Sequence, residues 1–589
     1  MLRCPPRFFR HSLLLASLTF CSVSVAFAED PEPRPLAERF PSGAFACLEA
    51  EGLGPVARQL QESALLERIL ASPQYQQYRK TDQYQQQQAG RQILEAQLRT
   101  DLWTLFEKVL GGRWIAALYP GDQPQQPHLA VLIEATDAEL LALIQERIDP
   151  FLDLAGDRVE RFETPAGTPG FALDGKLYVV IAGETVFAAS TRDLLEQLQS
   201  GSDPESDPSA ASLATDERFV AMADQLGDGH ELRLFVDSHA IGAATDGRMG
   251  IPEKLDNPLA SLLFSGLLEL VAHSPYAGVT VDVEENGFAV AASVAGAAHE
   301  LDESHHVFFP SPGDAGAPAI PQVEGLIGGF AWYRNLDQWY RQRETYLQPE
   351  ALPGFDQFET NIGNLLPGRD IGEDVLPLLG DRMTFLAALQ NFDHLEGEPG
   401  LKLPGFAAVI ELADPEEGAD TLRLFFQTLT AVLNLQASAQ GREPWIMDSE
   451  SYGGAHISYG RYLSTPEGDS LPVVFNFQPA SALVGNQFLL CSSVDLCREL
   501  IDAAQTPADA TAGSSRCFDL ELHAATLADA FEKNRTVLEA RAIQDGTEPE
   551  RASEDVAALL ELIRMMQGLQ LTTSAGEGTY ELRLQGSWK

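Results

Sequence analysis

Apolar and polar positions alternate strictly over Phe518–His523, where Phe518, Leu520 and Leu522 interleave with Asp519, Glu521 and His523. Tyr580, Leu582 and Leu584 interleave in the same way with Glu581 and Arg583. Period-two patterning predicts strands with one buried and one wet face, as in antiparallel sheets. Leu129–Ile133 is instead continuously apolar, which predicts a strand covered on both sides. Between Leu259 and Ala272, the residues Leu259, Leu262, Leu263, Leu267, Leu270 and Val271 recur at helical spacing. Ser261, Ser265, Gly266 and Glu269 interrupt that stretch, so it predicts an amphipathic core helix rather than a membrane span. Strand pairs alternate with single helices without a strict β-α-β rhythm, and the fold class expected is α+β with mainly antiparallel sheets and packed helices.

The pattern is written twice. LGGRWIAALYP (Leu110–Pro120) matches LGDRMTFLAAL (Leu379–Leu389), and AVLIEATD (Ala130–Asp137) matches AAVIELAD (Ala407–Asp414). GETVFAASTRDLLEQL (Gly183–Leu198) matches GNQFLLCSSVDLCREL (Gly485–Leu500). Two tandem similar domains are expected, residues 42–298 and 322–589, joined by a Pro-rich linker at 299–321. Each begins with a strand, Ala44–Glu49 or Leu326–Tyr333, that leads into helix. A hairpin follows, Trp114–Tyr119 with Leu129–Ala135 and Met383–Leu389 with Phe406–Leu412. Thr136 with Glu139, and Asp414 with Glu417, have capping-box spacing before the next helix. Ser190 with Asp193 and Ser492 with Asp495 repeat that spacing later. Residues kept in both halves therefore read as scaffold.

Residues 1–28 carry Arg3, Arg7 and Arg10, an apolar run Leu13–Val25 and an Ala26-Phe27-Ala28 exit, the pattern of a cleaved secretory signal. Phe20 before Cys21 disfavours a lipid-anchoring signal. Residues 29–41 are rich in Pro and charge and read as a flexible lead-in. No transmembrane segment is expected after signal removal, and the location expected is the periplasm or the extracellular medium. The whole chain carries 86 acidic and 40 basic residues, a net charge of −46. Such acidity keeps a protein soluble and opposes binding to nucleic acid.

Chemistry is sparsely marked. G-x-S-x-G, H-E-x-x-H, a Walker loop, an EF-hand loop and paired C-x-x-C are all missing from the sequence, so no catalytic residue and no cofactor is assigned. Arg113 and Arg382 start the first hairpin strand of each half, and Glu134 and Glu411 end its partner. An antiparallel hairpin brings those ends together, which predicts an ion pair Arg113–Glu134 and its repeat Arg382–Glu411. Cys491, Cys497 and Cys517 leave two readings open, a disulfide among them or small buried hydrophobes. His299, His305 and Asp302 form the only metal-like grouping, read as a solvated linker because preformed metal sites need a supporting shell. Trp332, Tyr333, Arg334, Trp339, Tyr340 and Arg341 read as strand-to-helix packing, with carbohydrate stacking as the alternative. Asp237, Ser238 and His239 are adjacent but carry no oxyanion-hole signature. Asn534-Arg535-Thr536 is a formal glycosylation acceptor.

The G-x-R strand start, the apolar hairpin ending in Glu and the G-x-x-[apolar]-x-x-[apolar]-S-x-x-D-L passage resemble a family of large exported bacterial proteins. That family, internally duplicated and common in aquatic bacteria, is known as a domain of unknown function. The resemblance implies an envelope or extracellular setting and transfers no catalytic residue. The expected function is a non-catalytic exported protein that binds a protein or small-molecule ligand through its sheet surfaces or the groove between its domains. The alternatives are a carrier of an apolar small molecule in a cavity and a hydrolase with an unrecognised carboxylate site.

Overall fold

The computed structural model describes residues 35–589 apart from 72, 124–125, 202–210, 228, 245–250, 297, 394, 443, 464–469 and 506–514. The segment 1–28, expected to be a secretory signal, and the start of the lead-in lie outside the described residues. The fold is α+β, 45% helix and 31% strand, and centres on one large antiparallel sheet. Leu36–Lys589 forms one compact unit rather than two.

Among the described residues the sheet has twenty strands. The first ten are β1 (Ala46–Glu51), β2 (Arg113–Gln123), β3 (Gln126–Glu134), β4 (Val159–Glu163), β5 (Pro169–Leu173), β6 (Leu177–Ala182), β7 (Thr185–Ala189), β8 (Leu232–Asp237), β9 (Tyr276–Glu284) and β10 (Gly287–Ala295). The second ten are β11 (Leu326–Tyr333), β12 (Leu379–Ala388), β13 (Gly405–Leu412), β14 (Ile446–Tyr452), β15 (Ala455–Arg461), β16 (Ala480–Val484), β17 (Gln487–Cys491), β18 (Arg516–His523), β19 (Met566–Ala575) and β20 (Thr579–Trp588). Their pairings give the spatial order 4-5-6-7-3-2-1-8-9-10 in the first half. In the second half the order is 14-15-16-17-13-12-11-18-19-20, the same sequence raised by ten. The halves meet edge to edge where β10 pairs antiparallel with β20, Gly287 opposite Ser587 and Ala295 opposite Thr579.

Local devices recur with the strands. The turn before β2 (Phe106–Leu110) and the turn before β12 (Ile371–Val375) are both π-helical. Gly183 and Gly485, in the β6–β7 and β16–β17 turns, both take φ 61°, a left-handed conformation that only glycine adopts without strain. Asp414 caps its helix as expected, accepting from the Glu416 and Glu417 amides. The caps expected at Thr136 and Ser190 are displaced by one residue, to Asp137 and Thr191. Ser190 and Ser492 have a different repeated duty. Each hydroxyl accepts from an amide of a neighbouring strand, Leu129 N at 3.0 Å in β3 and Phe406 N at 2.8 Å in β13.

The helices that bear on function are α1 (Leu53–Glu62), α2 (Ala64–Ala71), α3 (Pro73–Tyr78), α4 (Asp82–Leu98), α5 (Arg192–Ser200), α6 (Glu217–Leu226), α7 (Pro258–His273), α8 (Leu336–Arg341), α9 (Pro415–Ala439), α10 (Val494–Gln505) and α11 (Pro549–Met565). The Gln-rich run lies within α4, capped by Thr81.

Two segments expected to be mobile are packed. Leu36, Ala37 and Phe40 of the lead-in are buried in the first-half core. The Pro-rich segment between the halves buries Val307, Phe308 and Phe309 in a cluster with Leu270, Val294, Trp339, Tyr346 and Tyr580. Its apolar residues, overlooked among the prolines and charges, explain this: withdrawing a phenylalanine side chain from water yields roughly 1.5–3 kcal/mol. Helix α7 adapts to it by burying Ser261, Ser265, Gly266 and Leu270, while Leu259 points outward. A Cβ on Gly266 would lie 2.6 Å from Phe308 Cβ, so the glycine makes room for that ring.

At the same junction the Arg334 guanidinium is buried without a carboxylate partner among the described residues. It donates to the carbonyls of Leu262 (2.9 Å), Leu263 (3.2 Å), Phe308 (3.0 Å), Tyr333 (2.6 Å) and Cys517 (3.4 Å). One side chain thus ties α7 and the inter-half segment to β11 and β18.

Candidate functional site

Side chains alternate across a strand, so the register divides the sheet residues into two faces. On one face of the first half Cys47, Ile115, Ala117, Ala130, Leu132, Phe187 and Phe235 are all buried. Helices α5 and α6 and the Leu36–Arg39 turn close that side, through Leu194, Leu195, Leu198, Phe219 and Met222. In the second half Ala407, Val409, Leu489 and Cys491 are closed in the same way by Leu496, Leu500 and Ile501 of α10.

The opposite face is as apolar but far less covered. Leu48, Trp114, Leu118, Val131, Ile133, Val186, Leu234, Val236, Val279 and Val281 are all partly exposed. The register carries the same side of the sheet over the seam, where Val290 faces Leu584 and Ala292 faces Leu582. It then continues through Leu571, Leu520, Phe330 and Phe385, again partly exposed. Packing closes this face towards its flanks and at Ala50, Trp332 and Met383, which are buried. Near the junction, α7 and the Phe308 segment cover Val294 and Tyr580. At the far side α9 covers Ile410, Leu483 and Phe488 through Ala419 and Leu422.

Helices α1–α3 reach from the first half to the second by polar ties. Within the first half Gln59 donates to the Glu284 carbonyl at the end of β9 at 2.8 Å. Arg68 pairs with Glu561 of α11 at 2.7 Å, and Arg551 donates to Gln77 at 2.8 Å. Among the described residues, no core cluster includes a residue of α1–α4.

A separate polar cleft of about 540 Å³ lies beside the β11–β12 end. Arg382 donates from Nε to Glu411 Oε2 at 2.7 Å and from its terminal nitrogen to Oε1. Asn486 donates to the same carboxylate at 3.0 Å. In the first half Arg113 donates to Glu134 at 2.5 Å, and Arg39 adds a second cation at 3.1 Å. The two halves thus share the pair. They differ beside it: Gly112 and Glu51 stand where the second half has Asp381 and Tyr333. Tyr333 Oη donates to Asp381 Oδ2 at 3.1 Å. Burial pushes the Asp381 carboxyl above its ordinary range, with the Tyr333 hydrogen bond opposing. Asp314 and Asp337 also line the cleft. Sequence comparison of the halves contains this difference, LGGR against LGDR, but the shared arginine draws attention away from it.

The remaining expected residues do not converge. His305 is buried against Phe308 and Tyr346, with Nε2 at 3.9 Å from Glu269 Oε2. Burial lowers its pKa, Glu269 opposing. The solvated reading of this grouping is therefore corrected for His305. The side chain of His299 lies outside the described residues, and Asp302 opens the turn that contains His305. Among the described residues no group of three His, Cys, Asp or Glu side chains is placed to hold a metal ion. Cys491, Cys497 and Cys517 are free and buried, as is Cys47, so no disulfide joins them. Cys491 and Cys497 are hydrogen-bonded neighbours, whereas Cys517 lies beside Arg334. Asp237 accepts from Arg218 and from the Ala240 amide while His239 is exposed, so these three residues form no triad. Trp332 and Trp339 are buried, and the Asn534 side chain is engaged with the Lys402 backbone.

No family model matches the chain, and no curated protein does. Among solved structures, crystal forms IV and III of TP0453 are similar at 11% and 12% identity, covering 44% and 45% of this chain and 79% and 80% of that chain. Both have a TM-score of 0.23, a likeness too slight to carry a functional argument.

Proposed function

We propose that this is an exported, non-catalytic binding protein, built from a duplicated ten-strand module, that holds an apolar, chain-like molecule against the open face of its sheet. The observation that supports this reading is the contrast between the two faces. Both are lined by Leu, Val, Ile and aromatic residues, yet one is buried and the other is left partly exposed over most of the first half and the seam, and at Phe330, Phe385 and Leu520 of the second half. A contiguous apolar surface left partly exposed is a mark of a binding site. Aliphatic side chains dominate the strip, which favours a flexible alkyl chain over a planar aromatic ligand. Burying an alkyl chain yields about 0.8 kcal/mol per methylene, so roughly a dozen methylenes exceed the ordering cost of association.

The test is titration of delipidated protein, residues 29–589, with a fluorescent fatty acid. Saturable binding with micromolar or tighter affinity is expected. Val131→Glu, Leu234→Glu and Leu571→Glu place a carboxylate on the open face at partly exposed positions and are expected to weaken binding at least tenfold. Wild-type protein that fails to bind, or variants that bind equally well, would sink the reading.

The hydrolase alternative draws its support from the carboxylates of the polar cleft. Glu411 is held by Arg382 and Asn486, and Asp381 accepts from Tyr333, which favours a structural role for both.

A further inference from the structure

Residues 53–99, which contain α1–α4, hold six basic and four acidic residues, whereas the rest of the chain holds 34 basic and 82 acidic. Charge is thus segregated: in a strongly acidic protein these helices are the weakly cationic part. They also display apolar side chains. Leu60, Ile69, Leu70, Tyr78 and Ile93 are exposed, Ile93 at 60%. Tyr75, Tyr78 and Tyr84 gather into one ring cluster, with centroids 5.4–6.3 Å apart. Much of the remaining surface is glutamine, which is polar but uncharged.

We infer that α1–α4 form a docking surface for a lipid bilayer. Exposed aliphatic residues gain from burial at the headgroup–acyl boundary, and tyrosines favour that depth because one end of the ring is apolar and the other polar. Charge selects the occupant. An anionic membrane repels the acidic remainder of the protein and tolerates these helices, so the protein approaches with this side first, while on a zwitterionic one apolar contact alone selects them. An acidic protein partner is the competing occupant, but it would be drawn by cations. Three of the six basic residues are already paired, Arg58 with Glu107, Arg68 with Glu561 and Arg91 with Glu95, which leaves apolar contact as the larger attraction. Among the described residues no helix is long and apolar enough to cross a membrane, so the contact is peripheral. This inference does not depend on whether the open face carries a ligand.

Flotation of the mature chain with phosphatidylcholine vesicles, with and without a minor fraction of phosphatidylglycerol, tests it. Wild-type protein is expected to float with the vesicles, and a triple variant Leu60→Glu, Ile69→Glu, Ile93→Glu to lose at least tenfold of the bound fraction. All three positions are exposed, so the thermal melt should be unchanged. Leu435→Glu, at a position 76% exposed on α9, should float like wild type. Failure of the wild type to float with either vesicle overturns the inference, as does undiminished flotation of the triple variant or equal loss in the Leu435 control.

Discussion

Replacing Arg334 tests whether its carbonyl cage fastens the two halves together. The guanidinium makes five hydrogen bonds to backbone carbonyls from α7, the Phe308 segment, β11 and β18. Hydrogen bonds to a charged group contribute about 1.5–3 kcal/mol each. The Leu262 and Leu263 carbonyls lie mid-helix and keep their helical partners, so their share is at the low end. Against this stands desolvation of the cation, several kcal/mol, with no carboxylate to offset it; burial accordingly pulls the Arg334 pKa below the ordinary arginine value. The balance favours arginine by about 2–4 kcal/mol over a similar-sized apolar side chain. Arg334→Met should therefore be destabilised by that amount, and Arg334→Lys should be destabilised as well, since one ammonium cannot reach carbonyls spread around a planar fork. A chain of this size need not unfold in one step, so hydrogen exchange followed by mass spectrometry is the better assay. Peptides covering Pro258–His273 and Glu303–Phe308 should lose protection before those of the distant β4 and β14 ends. If Arg334→Met protects both peptides as well as wild type does, the cage is dispensable and the reasoning fails.

Three further outcomes follow from particular contacts. Because burial raises the Asp381 pKa in the folded protein, its carboxylate subtracts stability once the pH exceeds the unfolded value of about 3.9. Asp381→Asn should thus raise the denaturation midpoint at neutral pH, with the gain disappearing in acid; a gain independent of pH would contradict this cause. Gly266→Ala forces a methyl against Phe308 and should cost about 1–3 kcal/mol, read from the denaturant midpoint. Cys47, Cys491, Cys497 and Cys517 are all buried. Burial raises the thiol pKa of Cys47 and Cys517, and the Cys497 hydrogen bond together with burial raises that of Cys491, so a thiol reagent should modify the four only after denaturation. Rapid labelling of native protein would refute that burial.

The parts of the fold that were legible in the sequence are those set by local alternation and by residues at strand ends. The pairs Arg113–Glu134 and Arg382–Glu411 were readable because an antiparallel hairpin brings its outer ends together, Arg113 directly opposite Glu134 and Arg382 beside Glu411 at a bulge near the strand ends. Cap positions slipped by one residue because Thr136-Asp137 and Ser190-Thr191 each offer two adjacent oxygens, and only backbone geometry selects between them. The Pro310-Ser311-Pro312-Gly313 composition concealed the burial of Phe308, since turn formers describe the backbone and not what precedes them. Period-two patterning identifies which residues share a face, but it is silent on how well helices cover that face. Continuous apolar runs such as Leu129–Ile133 therefore suggested two closed sides where one is open.

The pairing of β10 with β20 also says something about how such a protein arose and how it behaves when cut. Each half on its own would end in an unsatisfied row of amides and carbonyls at its innermost strand, and a bare edge recruits whatever strand it meets. The nearest match for that edge is its own counterpart in another copy, so a separated half should assemble into a two-fold pair, and joining two such copies in one gene would turn a concentration-dependent association into a permanent one.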